Sequence, residues 1–318
     1  MRAAGMTLVE MLVCLVLAML LALAAIGLLM SSRAGFSAQD AGVRLDESGL
    51  YALAVIERAV RQAGYENWSA QGAALVDELA SSPSIIGLDD ALQQDASPAL
   101  ESVSSPGVNG SDVLALRFFG SGDSSGDGDG TMVNCAGAAV PEPARDDLDA
   151  GRGWSIFHVA RDSSGEPELR CKYRARNGQS WDGEAIVPGV EGMQVLYGID
   201  ANGDGLPDRY ARADVLYKMD QATAAAANGG ASIWKDVVAV RVALLVRGTG
   251  FASEAAGDKV LDFFGARYSS LNASVDRGVR FDERALPASQ RKRLRRLFSL
   301  AIPLKHRAGK KSAAAQPT

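Results

Sequence analysis

The feature that most constrains this chain is an apolar run near its start with a single acid at its mouth. Met11 to Met30 is twenty residues without a charged side chain. At about 1.5 Å of rise per residue, such a run reaches about 30 Å as a helix, the hydrocarbon thickness of a bilayer. Glu10 is the only charge between this run and the short leader Met1–Gly5, whose one charged side chain is Arg2. A carboxylate at the mouth of a membrane helix costs free energy that apolar burial does not return, which marks Glu10 as a functional candidate. One reading is an ordinary anchor with Glu10 reaching back to the interface. Another is a secretory signal with Ala22-Leu23-Ala24 as its small-x-small site. The single basic residue ahead of the run, and the continuation of the run to Met30, speak against the signal.

The helix is expected to continue past the membrane. Residues 31–64 contain no proline and keep apolar residues at helical spacing in Phe36, Val43, Leu50, Leu53, Ile56 and Val60, with Gly64 as a stop. Gly35, Gly42 and Gly49 recur every seven residues and share one side. That side either packs closely against a partner or is merely loosened, by up to about 1 kcal/mol per glycine.

Behind the helix the composition is that of a soluble head. Of 318 residues, 47% are apolar and 22% charged. The net charge of −5 conceals an asymmetry: residues 291–318 hold nine Lys or Arg and no acid, which leaves −14 on residues 1–290. An acidic body argues against a nucleic-acid platform. The basic run Arg291–Leu304 reads either as a patch for nucleic acid or anionic lipid or as a closing strand. In the strand reading Pro303 puts it at an edge or a strand end.

Several segments read as strands. Asp112–Phe119 alternates, and Trp154–Ala160 with Leu169–Tyr173 makes a hairpin around Asp162–Pro167. Met193, Val195, Tyr197 and Ile199 alternate in a further strand. The clearest is Asp236–Arg247, opened by Trp234, with Val238, Val240, Val242, Leu244 and Val246 on one face. Its alternation predicts one face on a core and the other toward solvent or a partner. Asn67–Gly110 reads as loop with marginal helix, Gly120–Gly130 as a flexible loop, and the Ala-rich stretch to Gly230 as a spacer. Gly248–Gly278 reads as polar loop with an apolar knot at Val260–Phe264.

Candidate chemistry is sparse. His158 falls inside a strand, and neither it nor His306 neighbours a Ser or Cys nucleophile in sequence, so His158 reads as structural. No enzyme activity and no resident cofactor are expected. Cys135 and Cys171 lie in the head 36 residues apart. Export would place them where a disulfide forms, worth about 3–4 kcal/mol. Two free thiols or half a metal site are the alternatives, and no CxxC or nearby His supports the metal. Asp200-Ala-Asn202-Gly-Asp204-Gly-Leu206-Pro-Asp208 places oxygen donors at alternate positions with glycine at the sixth. Two readings stand for it. One is a weak calcium loop using Asp200, Asn202, Asp204 and Asp208 side chains and the Leu206 carbonyl. The other is a hairpin turn with solvated carboxylates, since the terminal bidentate Glu of an EF-hand is absent.

These residues carry a resemblance. Gly5-Met6-Thr7-Leu8-Val9-Glu10, a leader ending in Gly with Glu at the fifth position after it, resembles the cleavage signal of the type IV pilin superfamily. The segments VEGMQVLYGIDANGDGLPDRY, WKDVVAVRVALLVR and RRLFSLAIPLKHR are similar to the PilW-type minor pilins. Met6 stands in place of the family's common Phe, and Gly27 where major pilins often have a helix-bending Pro.

The resemblance implies a pilin-like α+β fold. A leader of residues 1–5 precedes a transmembrane helix over 6–30 and its amphipathic continuation over 31–64. That long helix packs on an antiparallel β-sheet head over 65–304, followed by a basic disordered tail, 305–318. It also implies cleavage between Gly5 and Met6 by a prepilin peptidase, methylation of the Met6 amine, and Glu10 as the charge that meets a neighbouring subunit's amino terminus. Implied partners are other minor pilins, the major pilin and an inner-membrane assembly platform. The implied location is the bacterial inner membrane, single pass with the head in the periplasm, and then the pilus fibre. A J-like minor pseudopilin of a type II secretion system shares the architecture; a signal-anchored periplasmic adhesin or enzyme is the third class.

Overall fold

The computed structural model describes residues 7–63, 82–96, 100, 105–122, 127–143, 149, 151–175, 180–226, 232–251 and 259–304. The leader, Gly5, Met6 and the tail 305–318 lie outside the described residues, as do residues 64–81. Helix α1 runs Leu8–Ala63, and the chain divides into two units, 1–44 and 45–318. In the first unit the helix is long and apolar enough to cross a membrane, and its large side chains from Leu8 to Met30 are all exposed.

In the second unit α1 buries Leu45, Ala52, Leu53, Ile56, Ala59, Val60 and Ala63. This corrects part of the expected stripe: Leu53, Ile56 and Val60 are inside, but Phe36, Val43 and Leu50 are 71%, 48% and 61% exposed. The buried face mixes large residues with alanines and one glycine. Gly49 lies against the Phe298 ring, and a Cβ would collide with it. Gly35 and Gly42 have nothing within 4 Å of a built Cβ, so of the three glycines only Gly49 serves close packing.

The observed class is α+β. One expected sheet resolves into three antiparallel ones. A five-stranded meander contains β1 (Ile85–Leu88), β2 (Val113–Phe118), β3 (Gly153–Arg161), β4 (Pro167–Arg174) and β5 (Trp181–Pro188) in sequence order. A four-stranded sheet has the order β11-β8-β6-β7, formed by β6 (Val190–Ile199), β7 (Arg209–Ala211), β8 (Val237–Phe251) and β11 (Arg293–Pro303). A third sheet pairs β9 (Val260–Asp262) with β10 (Arg280–Asp282).

Strand β1 falls in the segment read as loop; its four residues are too few for a periodicity, and its register, Ile85 opposite Leu116, is set by β2. The stretch read as a spacer holds helix α2 (Ala213–Ala226). Its first N–H groups are capped from a distant part of the chain: both carboxylate oxygens of Asp89 accept, from Ala213 N and Asp214 N, at 3.0 Å each. Trp234 sits in a short 3-10 turn, Ile233–Asp236, just before β8. The hairpin of β3 and β4 and the closing strand β11 match the sequence reading, with Pro303 ending the edge strand opposite Ala239.

Strand β8 departs most from expectation, for it is buried on both faces. Val240, Val242, Leu244 and Val246 enter the main core with α1, β2, β4 and β6. Ala243 and Leu245 enter a second core with Leu196, Phe263, Phe264, Val279 and Phe281. That second core is made by β9, β10 and α3 (Ala266–Asn272), built from the stretch read as polar loop around the Phe263-Phe264 knot. Charge is buried with it. Glu191 takes Arg295 at 2.5 Å and Arg247 at 3.3 Å, and Arg295 also faces Glu283 at 3.6 Å and stacks over the Phe281 ring. The basic start of β11 is thus partly an internal ion cluster.

Gly49→Val should lower the stability of the head by about 1–3 kcal/mol through overpacking against Phe298. Gly42→Ala should leave it unchanged or slightly raised, as checked by denaturant unfolding of the full chain in micelles.

Candidate functional site

The start of α1 is built as a capping box. Thr7 N donates to Glu10 Oε2 at 2.9 Å and Thr7 Oγ1 donates to the same oxygen at 3.1 Å, while Glu10 N donates to Thr7 Oγ1 at 3.3 Å. Thr7 is the cap and Glu10 the third helical residue, so the two side chains reciprocally satisfy backbone N–H groups that have no carbonyl partner in the first turn. The cap gives the acid at the start of the apolar run a local structural reason. The Thr-x-x-Glu spacing was present in the sequence and would have disclosed this. The cap also holds one carboxylate oxygen in place, and Glu10 itself is exposed. The arrangement leaves Glu10 able to meet a cation without giving up its own helix.

In the head, Cys135 and Cys171 are joined, with Cα atoms 5.9 Å apart. Cys171 lies in β4, opposite Phe157 of β3 and Glu184 of β5. Cys135 sits in the Asn134–Gly137 turn, where Asn134 Oδ1 accepts from Ala136 N and Ala138 N, and Cys135 N donates to Ser155 Oγ at 3.0 Å. The bridge clips this turn to the centre of the five-stranded sheet. Cys14 is free and exposed on α1.

The Asp200–Asp208 segment connects β6 to β7, with Asp208 N donating to Ile199 O. Each of its carboxylates accepts backbone N–H groups. Asp200 takes Gly203 N at 2.6 Å and Gly205 N at 2.8 Å, Asp204 takes Leu206 N at 2.8 Å, and Asp208 takes Ala201 N at 2.7 Å. Asn202 bridges Asp204 and Asp208 through its amide. Gly203 and Gly205 have φ of +83° and +85°, which side chains with a Cβ resist. Desolvation pushes the Asp200 carboxyl up, but its bonds from Gly205, Gly203 and neighbouring N–H groups together hold it below the usual carboxylate range. The side chains therefore shape the loop themselves. Among the described residues no group of three His, Cys, Asp or Glu is arranged to hold a metal ion.

His158 is fully buried in β3, 3.5 Å from Asp95, which also binds Arg170 at 2.6 Å. Desolvation pushes His158 down to about 4, against the pull of Asp95 and with the push of Arg170 and Lys172. It is a neutral core residue at ordinary pH.

Thr7→Ala should raise amide exchange in the first turn of α1 about fivefold, the value of a cap worth about 1 kcal/mol, whereas Thr7→Ser should keep the native rate. Hydrogen exchange of the full chain in micelles measures both.

Residues 156–306 match the family described as Type IV Pilus-assembly protein W. The match begins inside β3 and reaches just past β11, so it contains the whole four-stranded sheet. Among solved structures the chain is similar to a type IV-like pilin from Thermus thermophilus. That likeness has 13% identity and a TM-score of 0.35, and covers 82% of this chain and 97% of that one. No curated protein matches it.

Proposed function

We propose that this chain, matched over residues 156–306 to the type IV pilus-assembly protein W family, is a minor pilin that takes part in starting or building a type IV pilus. The observation that carries the reading is the pairing of that family match with α1. One continuous helix has an apolar first half, an acid at its mouth, and a second half that packs on the head. Such a chain keeps its head on one side of a membrane while its greasy half packs among other greasy helices.

In this reading a prepilin peptidase hydrolyses the Gly5–Met6 bond, leaving the Gly5 carboxylate on the leader and freeing the Met6 amine for methylation. The head stays on the periplasmic side of the inner membrane until the helix is drawn into the fibre. Glu10 is then surrounded by apolar helices and pairs with the amine of a neighbouring subunit. Leaving it there unpaired costs about 3–5 kcal/mol, enough to set the register of assembly. The Thr7 cap supports this by holding Oε2 in a defined place before the partner arrives. The chain acts with other minor pilins in a priming complex, as the substrate of one enzyme and not an enzyme itself.

Mass spectrometry of the mature amino terminus tests the reading. A chain that begins at N-methylated Met6 is expected; one beginning near Ala25, or still carrying Met1, overturns it. Glu10→Ala should spare membrane insertion yet impair piliation in the same cells. The calcium reading of the Asp200–Asp208 loop is a lesser proposal, supported by its preset carboxylates. Calorimetric titration should give a calcium heat that Asp204→Ala abolishes, and no heat in the unaltered chain ends it.

A further inference from the structure

Five aspartates from separate elements meet where the two large sheets join. Asp89 and Asp90 follow β1, Asp112 precedes β2, Asp214 lies in the first turn of α2, and Asp276 follows α3. The cations that face them are unevenly shared. Arg277 pairs with Asp90 at 3.0 Å, and Arg212 and Lys218 pair with Asp214 Oδ2 at 2.9 and 3.1 Å. Asp276 takes the Tyr268 hydroxyl at 2.9 Å. Among the described residues, backbone N–H groups donate to Asp89 and Asp112: Ala213 N and Asp214 N to Asp89, Asp90 N and Val195 N to Asp112. Tyr197 and Tyr217 complete the surroundings, and the Tyr197 hydroxyl is buried against Gly87 of β1.

Two atoms in this cluster lack a partner among the described residues, the Tyr197 hydroxyl and Asp214 Oδ1. Asp214 Oδ1 is buried and accepts nothing, although it lies beside the Asp89 carboxyl. An orphaned buried acceptor is destabilising, because it has given up water without a replacement donor. A proton on Asp89 removes that cost by donating to it, with Arg212 and Lys218 holding the negative charge on the other oxygen. We propose that Asp89 and Asp214 share a proton in the folded head, and that this proton locks α2 and the end of β1 against β6. Its loss puts two facing carboxylates at the capped start of α2, beside buried Asp112, and loosens the joint between the sheets.

The titration follows the geometry. Desolvation first, and the neighbouring Asp214 carboxyl with it, raise Asp89 to about 7 against the pull of its two N–H donors. Burial likewise holds Asp112 well above the usual carboxylate range. An unfolded chain releases such protons near pH 4, so between about 4 and 7 the folded state binds the extra proton. Stability from this group is therefore greatest on the acid side and is lost as pH rises through 7. His158 works in the opposite sense below its ordinary value of 6.5, so the informative quantity is a difference between chains.

The test compares the full chain with Asp89→Asn in micelles by denaturant unfolding from pH 5 to 8. The amide of Asn keeps one of the two cap bonds through its oxygen and offers Nδ2 to Asp214 Oδ1 at every pH, so the cap bond it loses shifts its stability by an amount that does not change with pH. Relative to this variant, the native unfolding constant should rise toward tenfold per pH unit between about 5 and 7. Parallel pH profiles, or a native chain that gains on the variant as pH rises, overturn the proposal. A second measurement needs no variant. Exchange protection at the Ala213 and Asp214 amides of the native chain, corrected for intrinsic rates, should fall across this range while that at Leu169 in β4 holds. Uniform protection at all three also overturns it.

Discussion

Strand β6 is paired with β8 along its whole length on one side, but with β7 over only Tyr197–Ile199 on the other. The N–H groups of Met193 and Val195 on that open edge are buried, and a sheet edge left bare inside a protein is costly. Four residues, Asn109 to Asp112, lie along it in place of a strand. Asn109 Nδ2 donates to Glu191 O, Met193 N donates to Ser111 Oγ, Asp112 N donates to Met193 O, and Val195 N donates to Asp112 Oδ2. Because β2 starts at the next residue, the same four residues dock the five-stranded sheet on the four-stranded one. The αL backbone of Asn109 and Gly110, with φ of +54° and +74°, turns the chain into this position.

The polar interior follows the same logic. Where backbone ladders stop, side-chain carboxyls finish them, as Asp112 does for β6 and Asp89 for α2. Where strands end near one another, ion clusters close the gap, as Glu191 does with Arg247 and Arg295. Such clusters add little net stability over apolar packing, but they penalise any register that leaves one charge alone. They therefore specify how the sheets meet more than how strongly.

Helix α1 changes character along its length. Its first half is apolar and presents large exposed side chains; its second buries a face that mixes Leu45, Leu53, Ile56 and Val60 with Ala52, Ala59, Ala63 and the close-packed Gly49. Leu50 is apolar at helical spacing yet lies off the buried face. Periodicity shows that apolar residues share a side, but not which side a neighbouring strand approaches. The same gap hid the second core, since Phe263 and Phe264 read as a knot in a polar loop until β8 is seen to need cover on its other face.

The sequence by itself determined the long helix, its apolar first half, the acid at the start of that half, the α+β class, and the strands whose alternation is long enough to count. Those are local properties, written in runs of ten or more residues. Cys135 and Cys171 were also legible as a candidate pair, because no CxxC or nearby His offered them a metal instead. Only the tertiary structure decided that β1 is a strand, that α2 is capped by Asp89, that β8 is covered twice, and that the basic start of β11 turns partly inward. Each of those depends on residues outside the local run: Ile85 pairs with Leu116, Leu245 packs with Phe281, Arg295 meets Glu191, and Asp89 caps Ala213 at a separation of 124. No local pattern encodes a partner at that distance, because the free energy that selects it exists only once the sheets have met.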